Sequence, residues 1–177
     1  MNITGGIYNG RKIKAPDEKI TRPTLSKARE GIFSCLYSIV DFNECSFLDM
    51  FSGSGIMGLE AISRGFQKVV CFEKNIKVAN IIKENYKTLN LKPNLYIGNS
   101  LKLIEKQTEA FDVIFIDPPY FSGIYEECIS KIIQTNSIKK GGIIILEHVT
   151  SVNTTSFELE VIKQKTYSNK TITFLKY

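Results

Sequence analysis

Two segments of the chain combine residue types that are suited to chemistry, and the first is a glycine-rich loop. Gly53, Gly55 and Gly58 match the pattern GxGxxG and follow an apolar run that ends in Asp49. Glycine lets the backbone turn tightly, approach a ligand closely and begin a helix whose N-terminus faces that ligand. Glu73 ends the next apolar run, about twenty residues on, where an acid can accept hydrogen bonds from ribose hydroxyls. The pattern predicts a binding site for a ligand that contains a nucleoside.

This loop leaves two ligand classes open, a dinucleotide and S-adenosylmethionine (SAM). Asp49 favours SAM, because an acid just before the loop would repel a pyrophosphate but can accept hydrogen bonds from the ammonium of a methionine moiety. The alternative is a nicotinamide oxidoreductase that uses the same glycines and Glu73. That alternative leaves the second segment unexplained, and measured binding of SAM or NAD separates the two.

The second segment is Asp117-Pro118-Pro119-Tyr120, which ends the apolar run FDVIFI. The two prolines lack N–H groups and keep the residues before them extended, so the segment is rigid. The Asp117 carboxylate and the Pro118 carbonyl can face one amine that has two N–H bonds, and the Tyr120 ring can stack on a flat base. Two acceptors on these hydrogens free the amine lone pair for an electrophile. The segment therefore predicts methylation of an exocyclic base amine.

The rest of the chain predicts the framework that positions these segments. Apolar β-type runs alternate with amphipathic stretches, which is typical of a mostly parallel sheet with helices on both faces. We expect strands at 45–50, 68–73, 94–98, 111–117 and 141–148, and helices near 56–64, 76–90, 100–107 and 123–136. The last runs, 157–166 and 171–177, flank Ser168-Asn169 and predict an antiparallel hairpin. Ligands bind beyond the carboxyl ends of parallel strands, where both segments lie.

The composition is that of a folded, soluble protein with a basic surface. The chain has 177 residues, of which 43% are hydrophobic and 23% charged, which excludes the disordered and membrane classes. Its start lacks the apolar region of a signal peptide, so we expect the cytoplasm. Four scattered cysteines and one histidine predict no metal site. The net charge of +5 makes nucleic acid a candidate partner, although lysine-rich composition alone would give the same charge.

The N-terminal residues predict a small basic hairpin. Asn9-Gly10 stands between short apolar and basic stretches, which is a strong hairpin signal. We expect a basic β-hairpin extension at 1–20 and one catalytic domain at 21–177, in which a helix follows the segment TRPT and runs through Tyr37. The candidates for contacts to phosphates are Arg11, Lys12 and Lys14, and the alternative is that these side chains are only solvated.

Four segments together resemble the RsmD-type ribosomal RNA guanine-N2 methyltransferases, and the resemblance covers nearly the whole chain. They are GGIYNGRKIKAP, TRPTLSKAREGIF, FLDMFSGSGIMGLEAISRG and DPPY. The resemblance implies an α/β Rossmann-like fold, the seven-stranded SAM-dependent methyltransferase fold, with SAM as the cofactor and S-adenosylhomocysteine as its product. It also implies one guanine of small-subunit (16S) ribosomal RNA as the substrate, within an assembled or assembling small ribosomal subunit, and neither a membrane nor a metal as partner.

The same resemblance implies roles for individual residues. The implied catalytic residues are Asp117, Pro118, Pro119 and Tyr120. The implied cofactor-binding residues are Asp49, Phe51, Gly53, Ser54, Gly55, Glu73, Asn99, Ser100, Arg22 and Thr24. Among these, Glu73 would contact the ribose and Asn99 the adenine, where many methyltransferases carry an acid. Arg22 and Thr24 would close over the cofactor or the RNA. Asn169 departs from the family, which often has glycine at that turn.

Two further alternatives remain open. Adenine-N6 methyltransferases acting on DNA or RNA also carry DPPY, which does not separate a guanine amine from an adenine amine. They usually have an added recognition domain, and we expect no room for one here. An RNA-binding module that has lost activity would not need to keep Asp49, Gly53, Gly55 and Asp117 intact, which argues against that alternative. His148 is expected to be a packed or solvent-facing residue rather than a catalytic one.

Overall fold

A computed structural model describes residues 1–16, 26–119, 124–149, 152, 157 and 159–177 of the chain. Five α-helices and seven strands occur in these ranges. The helices are α1 (Ser26–Tyr37), α2 (Ile56–Ser63), α3 (Ile76–Lys87), α4 (Ser100–Ile104) and α5 (Tyr125–Gln134). The strands are β1 (Ser46–Asp49), β2 (Lys68–Glu73), β3 (Asn94–Ile97), β4 (Phe111–Ile116), β5 (Ile138–His148), β6 (Glu160–Tyr167) and β7 (Lys170–Lys176).

The seven strands form one sheet in the order β3-β2-β1-β4-β5-β7-β6. Strands β1 to β5 are parallel, whereas β7 is antiparallel to both β5 and β6. The sequence prediction of a mostly parallel seven-stranded sheet with a closing antiparallel hairpin is confirmed. The chain order reverses between β1 and β4, which makes the carboxyl ends of these two strands the topological switch point where ligands bind in such sheets.

Helices cover both faces of this sheet. The burial of β4 on both faces explains why its sequence is a continuous apolar run. Val113 and Phe115 belong to the core cluster that includes residues of α1, α2 and α3. Ile114 and Ile116 belong to the opposite cluster, with residues of α4 and α5. A strand buried on both faces has no solvent side that needs polar residues. Within the described ranges, no helix is long and apolar enough to cross a membrane.

A turn forms at Asn9-Gly10 as expected, with the Arg11 N–H donating to the Tyr8 carbonyl over 3.1 Å, but the paired residues of the hairpin lie further apart in the chain. Residues 1–3 pair with residues 11–13 through one antiparallel bridge, Asn2 with Lys12, and residues 4–10 form a longer loop. This loop is fastened to the end of α2, where the Ile7 N–H donates to the Ser63 carbonyl over 2.8 Å. The loop therefore keeps the local turn and is also held by long-range hydrogen bonds. The expected boundary between 1–20 and 21–177 falls among residues outside the described ranges.

A buried cluster of charges fastens the N-terminal loop and α1 onto α2. Glu60 on α2 is fully buried, and its Oε1 accepts from Arg29 Nε at 3.1 Å and from the Thr4 N–H at 2.8 Å. Arg64 also pairs with Glu60, and its guanidinium lies 4.7 Å from the centre of the Phe33 ring. Removing one partner of a buried pair leaves an uncompensated charge, so this cluster fixes how the three segments sit together.

Several element boundaries differ from those expected. β5 begins at Ile138 rather than at 141, and β6 runs from Glu160 to Tyr167 rather than over 157–166. The strands β6 and β7 meet in a two-residue turn, in which Tyr167 pairs with Lys170 and Ser168 has φ +57°. Ser168, rather than Asn169, therefore takes the left-handed conformation that usually favours glycine.

Candidate active site

Three acids lie at the carboxyl ends of the neighbouring strands β2, β1 and β4. Asp49 is the last residue of β1 and pairs with Cys71 on β2 and Phe115 on β4. Glu73 and Asp117 each lie two residues beyond these partners, and residues two apart in a strand face the same side of the sheet. The structure therefore brings together the three acids that the sequence placed at strand ends.

The glycine loop joins β1 to α2 as the sequence predicts. Gly53 and Gly55 have φ values of +52° and +79°, which only glycine adopts readily. Gly55 is the N-cap of α2, and its N–H donates to the Ser52 carbonyl over 2.7 Å. A Cβ atom on Gly55 would lie 3.1 Å from the side chain of Ile82 on α3. Glycine is needed here for both the turn and the close approach.

Gly58, the third glycine of the pattern, sets how closely α2 packs. A Cβ atom at this position would lie 2.5 Å from the Tyr86 hydroxyl and 2.9 Å from the Cys71 sulfur. Tyr86 and Cys71 are both buried, and burial raises the pKa of the Cys71 thiol to about 12. The thiol is therefore a protonated packing group. Gly58 lets α2 lie directly on β2 and α3, which fixes the start of α2 beside the strand ends.

Glu73 binds the glycine loop directly. Its Oε2 accepts a hydrogen bond from the Gly53 N–H over 3.0 Å, and its Oε1 accepts one from the Asn75 N–H over 2.7 Å. Burial raises the pKa of Glu73, and the backbone donors at Asn75 and Gly53 oppose that rise. Each carboxylate oxygen has two lone pairs, so Glu73 retains acceptor capacity for the hydroxyls of a ribose.

Asp49 is buried without a hydrogen-bond partner for its carboxylate. Asp49 is 1% exposed, and among the described residues no hydrogen bond reaches either of its carboxylate oxygens. Burial raises its pKa to about 8; the nearby Phe51 N–H and Ser52 hydroxyl oppose the rise, and the charges of Asp117 and Glu73 add to it. Buried acids are normally paired. A cationic ligand group beside the glycine loop, such as the ammonium of SAM, would supply the missing partner, so these residues fit SAM.

Asn99 and Ser100 begin α4 at the same edge of the sheet. Asn99 Oδ1 caps the helix by accepting from the N–H groups of Leu101 and Lys102 at 3.0 and 3.2 Å. Its Nδ2 group is a donor that the cap does not use. The buried Ser100 hydroxyl donates to the Met50 carbonyl, which ties α4 to the chain just after β1. Asn99 can therefore offer hydrogen-bond donors where an acid would offer acceptors.

Ser54 is part of the glycine loop, and Phe51 lies just before it. The Ser54 carbonyl accepts from Asn85 Nδ2 at 2.9 Å, and the Ser54 hydroxyl contacts the Met1 sulfur at 3.4 Å. Phe51 is half-buried and packs against the core cluster that includes α4 and α5. The loop is thus supported by α3 and by the N-terminus of the chain.

Asp117 follows β4 at the centre of this edge, beside Asp49. Its side chain is 21% exposed, and its Oδ2 lies 4.0 Å from Nζ of Lys170 on β7. Pro118 is buried and Pro119 is exposed. Tyr120, Arg22 and Thr24 lie outside the described residues, so their roles stay predictions.

The chain sequence matches the model of one known protein family over nearly its whole length. The model of the family described as conserved hypothetical protein 95, the RsmD family, matches residues 1–176. The chain belongs to this family. The resemblance stated from the sequence is confirmed, and the RsmD family is one of SAM-dependent methyltransferases.

Individual relatives of this RsmD-family chain agree with the family match. The Haemophilus influenzae protein named ribosomal RNA small subunit methyltransferase D is 33% identical over 152 residues, which are 83% of this chain and 78% of that protein. The solved structure of the H. influenzae protein HI0767 has a TM-score of 0.82 and 28% sequence identity to this chain. The match covers 99% of this chain and 97% of the HI0767 chain. The yhhF protein of Escherichia coli shares the fold, with a TM-score of 0.88 at 24% identity and the same coverage.

Two charged residues of this RsmD-family chain lie in the site although sequence reasoning did not find them. Lys170 and Glu147 are 4% and 1% exposed, and the Lys170 ammonium pairs with Glu147 Oε1. Lys170 begins β7, which is distant in sequence from Asp117, and an antiparallel pairing with β5 brings them together. The only signal in the sequence was a pair of charged residues at strand ends, and such residues are usually solvated.

The basic residues of the N-terminal segment lie along α3. Arg11 Nη2 donates to the Thr88 carbonyl over 3.4 Å, beyond the C-terminal end of α3. Lys14 Nζ lies 3.0 Å from Glu84, one turn earlier, and Lys12 is exposed. The RNA role of these residues stays a prediction. Among the described residues, no cluster of three or more His, Cys, Asp or Glu side chains is arranged to hold a metal ion.

Proposed function

We propose that this protein transfers a methyl group from SAM to the exocyclic N2 amine of one guanine in small-subunit (16S) ribosomal RNA. The observation that carries the proposal is the position of two acids at the switch point of the sheet. Asp49 is a buried acid beside the glycine loop whose carboxylate has no hydrogen-bond partner among the described residues, and Asp117 follows the adjacent strand and precedes two prolines. Membership of the RsmD family supports the same activity.

The cofactor half of the site is formed by β1, β2 and the loops that follow them. Asp49 accepts hydrogen bonds from the ammonium, the backbone at Gly53 and Gly55 allows close approach, and Glu73 accepts from the ribose hydroxyls. Asn99 directs its Nδ2 donors to the adenine. When bound, SAM supplies an activated methyl group, so the residues mainly have to align donor and acceptor.

The substrate half is formed by the segment after β4. The Asp117 carboxylate and the Pro118 carbonyl accept the two N–H bonds of the guanine amine, which directs the nitrogen lone pair at the methyl group. The carboxylate also stabilises the positive charge that develops on this nitrogen. Tyr120 stacks on the guanine, which must leave its own stack or loop to reach the pocket.

The RNA surface and the setting of the reaction complete the proposal. Arg11, Lys12 and Lys14 contact phosphates of the RNA, in keeping with the net charge of +5. Arg22 and Thr24 close over the cofactor or the RNA. The substrate is the assembled or assembling small ribosomal subunit, and the reaction takes place in the cytoplasm.

The experiment that tests this proposal compares substrates under one set of conditions. Purified protein is incubated with methyl-labelled SAM and with small ribosomal subunits that lack their native methylation, free 16S RNA or duplex DNA. We expect label in the RNA of the subunits, and calorimetry should show binding of SAM but not of NAD. Label only in DNA, or binding of NAD in place of SAM, would contradict the proposal.

A further inference from the structure

Five charged side chains lie side by side on one face of the sheet at its carboxyl edge. In spatial order they belong to β2, β1, the residue after β4, β5 and β7, and they are Glu73, Asp49, Asp117, Glu147 and Lys170. Each lies two residues from a member of the core cluster on the α1 side, so all five face that side. The row has four acids and one base, and the base stands at the end nearest Asp117 and Glu147.

Lys170 contacts two of these acids. Its ammonium forms a hydrogen bond with Glu147 Oε1 and lies 4.0 Å from Asp117 Oδ2. Lys170 is 4% exposed, so water screens these interactions little. His148 faces the opposite side of β5, where its Nε2 lies 2.8 Å from the Thr173 hydroxyl. Among the described residues, the ionisable groups that share this row with Asp117 are Asp49, Glu73, Glu147 and Lys170.

The protonation state of Asp117 decides whether it can bind an amine. An ionised carboxylate only accepts hydrogen bonds, whereas a protonated one presents an O–H donor that cannot accept from N–H. The acids in this row favour the protonated form of Asp117 when they are ionised, because like charges oppose ionisation. Lys170 is the one described cation in this row and favours the ionised form. Glu147 balances the charge of Lys170, so the trio of Asp117, Lys170 and Glu147 retains one negative charge.

We propose that Lys170 is a positioning residue for methyl transfer: held by Glu147, its ammonium keeps the Asp117 carboxylate ionised and turned towards the substrate amine. This inference rests on the proposed function, in which Asp117 binds that amine. It assigns a role in the reaction to the end of the turn between β6 and β7, where Lys170 is the first residue of β7. It also explains why a lysine is buried beside two acids rather than replaced by an apolar residue.

The test uses pH–rate profiles of four variants, with SAM affinity and thermal unfolding measured alongside. Lys170→Met should move the acid limb of the profile up by about one pH unit, so that kcat falls by up to about tenfold at pH values below the limb. Glu147→Gln should move the acid limb down, because the charge of Lys170 is then no longer balanced. Lys170→Arg should restore the wild-type profile. SAM affinity should stay within about threefold of the wild type in all variants, since the proposed SAM site does not include Lys170 or Glu147.

The double variant Lys170→Met/Glu147→Gln keeps the test valid if Lys170→Met does not fold. It removes both members of the buried Lys170–Glu147 pair, and its acid limb should still move up because the cation 4.0 Å from Asp117 Oδ2 is lost. Opposite shifts in the two single variants support the inference, since a purely structural role would not change sign. The inference is overturned if the acid limb keeps its wild-type position in both the folded double variant and Glu147→Gln.

A second readout separates this inference from the proposed function. Carbon-13 NMR of labelled aspartate follows the titration of Asp117 in the protein without RNA, with Asp117→Asn used to assign the signal. We expect the carboxyl carbon to titrate at higher pH in the double variant than in the wild type. If guanine is methylated but the titration does not move, the inference fails alone. If the titration moves but no guanine is methylated, the proposed function fails and the coupling of Lys170 to Asp117 stands.

Discussion

The N–H of Gly53 donates a hydrogen bond to Oε2 of Glu73 over 3.0 Å. One carboxylate thereby joins the loop after β1 to the end of β2, and through the N–H of Asn75 it also joins the start of α3. Glu73 therefore has two functions in the site: it shapes the glycine loop, and it faces the position proposed for the ribose.

We expect Glu73→Ala to weaken SAM binding about thirtyfold, because hydrogen bonds to a charged group contribute about 1.5–3 kcal/mol each. Calorimetry with SAM measures the change. Glu84→Ala is the matched control, since Glu84 is an exposed acid on α3 that pairs with Lys14, and its SAM affinity should stay unchanged. Equal affinity in both variants would contradict the role of Glu73.

The raised pKa of Asp49 predicts that SAM binding releases a proton. Its pKa of about 8 means that the carboxyl is mostly protonated at pH 7, whereas pairing with an ammonium requires the ionised form. Binding should therefore release close to one proton at pH 7 and tighten as the pH rises towards 8. Calorimetry in buffers of different ionisation enthalpy measures the released proton.

Asp49→Asn provides the control for this measurement. The variant cannot ionise, so it should bind SAM more weakly and without proton release, and its affinity should no longer rise between pH 6 and about 8. The same proton release in both proteins would assign the proton to another group and remove Asp49 from the ammonium site.

Gly58→Ala should destabilise the protein by about 1–3 kcal/mol, although alanine is the better helix former. The added Cβ would lie 2.5 Å from the Tyr86 hydroxyl, so overpacking outweighs helix propensity. Urea unfolding measures the loss. The double variant Gly58→Ala/Tyr86→Phe lacks this hydroxyl and should lose less stability than the two single changes added together. Strict additivity would show that the contact does not carry the cost.

Asp117→Ala should lower kcat at least about a hundredfold while SAM binding is nearly kept, because Asp117 acts mainly on the reacting amine. Steady-state kinetics and calorimetry measure the two quantities on the same preparation. A variant that keeps its turnover and loses SAM affinity would place Asp117 in the cofactor site instead.

Reversing the charges of Arg11 and Lys12 should weaken RNA binding and flatten its salt dependence. Each lost phosphate contact reduces the slope of log K against log salt by about 0.7–0.9, so Arg11→Glu/Lys12→Glu should reduce it by about 1.5. Lys102→Glu/Lys106→Glu, on and just beyond α4, is the control with the same change in net charge. An identical slope in both double variants would remove the N-terminal segment from the RNA surface.

Much of the fold and part of the site follow from local sequence patterns. The alternation of apolar and amphipathic runs predicted every strand and helix of the sheet domain, because each pattern reflects burial on one or both faces. Gly53, Gly55 and Glu73 were found for the same reason: their spacing encodes a strand, a turn and a helix that lie next to each other in the chain.

The parts that sequence reasoning missed depend on distant contacts. The expected turn at Asn9-Gly10 forms, but it did not indicate that the loop around it is hydrogen-bonded to Ser63, more than fifty residues away. Lys170 reaches Asp117 only because β7 pairs with β5. Periodicity shows that a segment is a strand, but it does not show which strand lies beside it, so the addition of Glu147 and Lys170 to the three predicted acids was visible only in the structure.

The most direct test of the central claim is the identity of the methylated nucleoside. Wild type and Asp117→Ala are each incubated with labelled SAM and small ribosomal subunits that lack native methylation, and the digested RNA is analysed by mass spectrometry. The account predicts labelled N2-methylguanosine from the wild type and almost none from Asp117→Ala. Label in N6-methyladenosine, or no label in RNA from a protein that binds SAM, would contradict it.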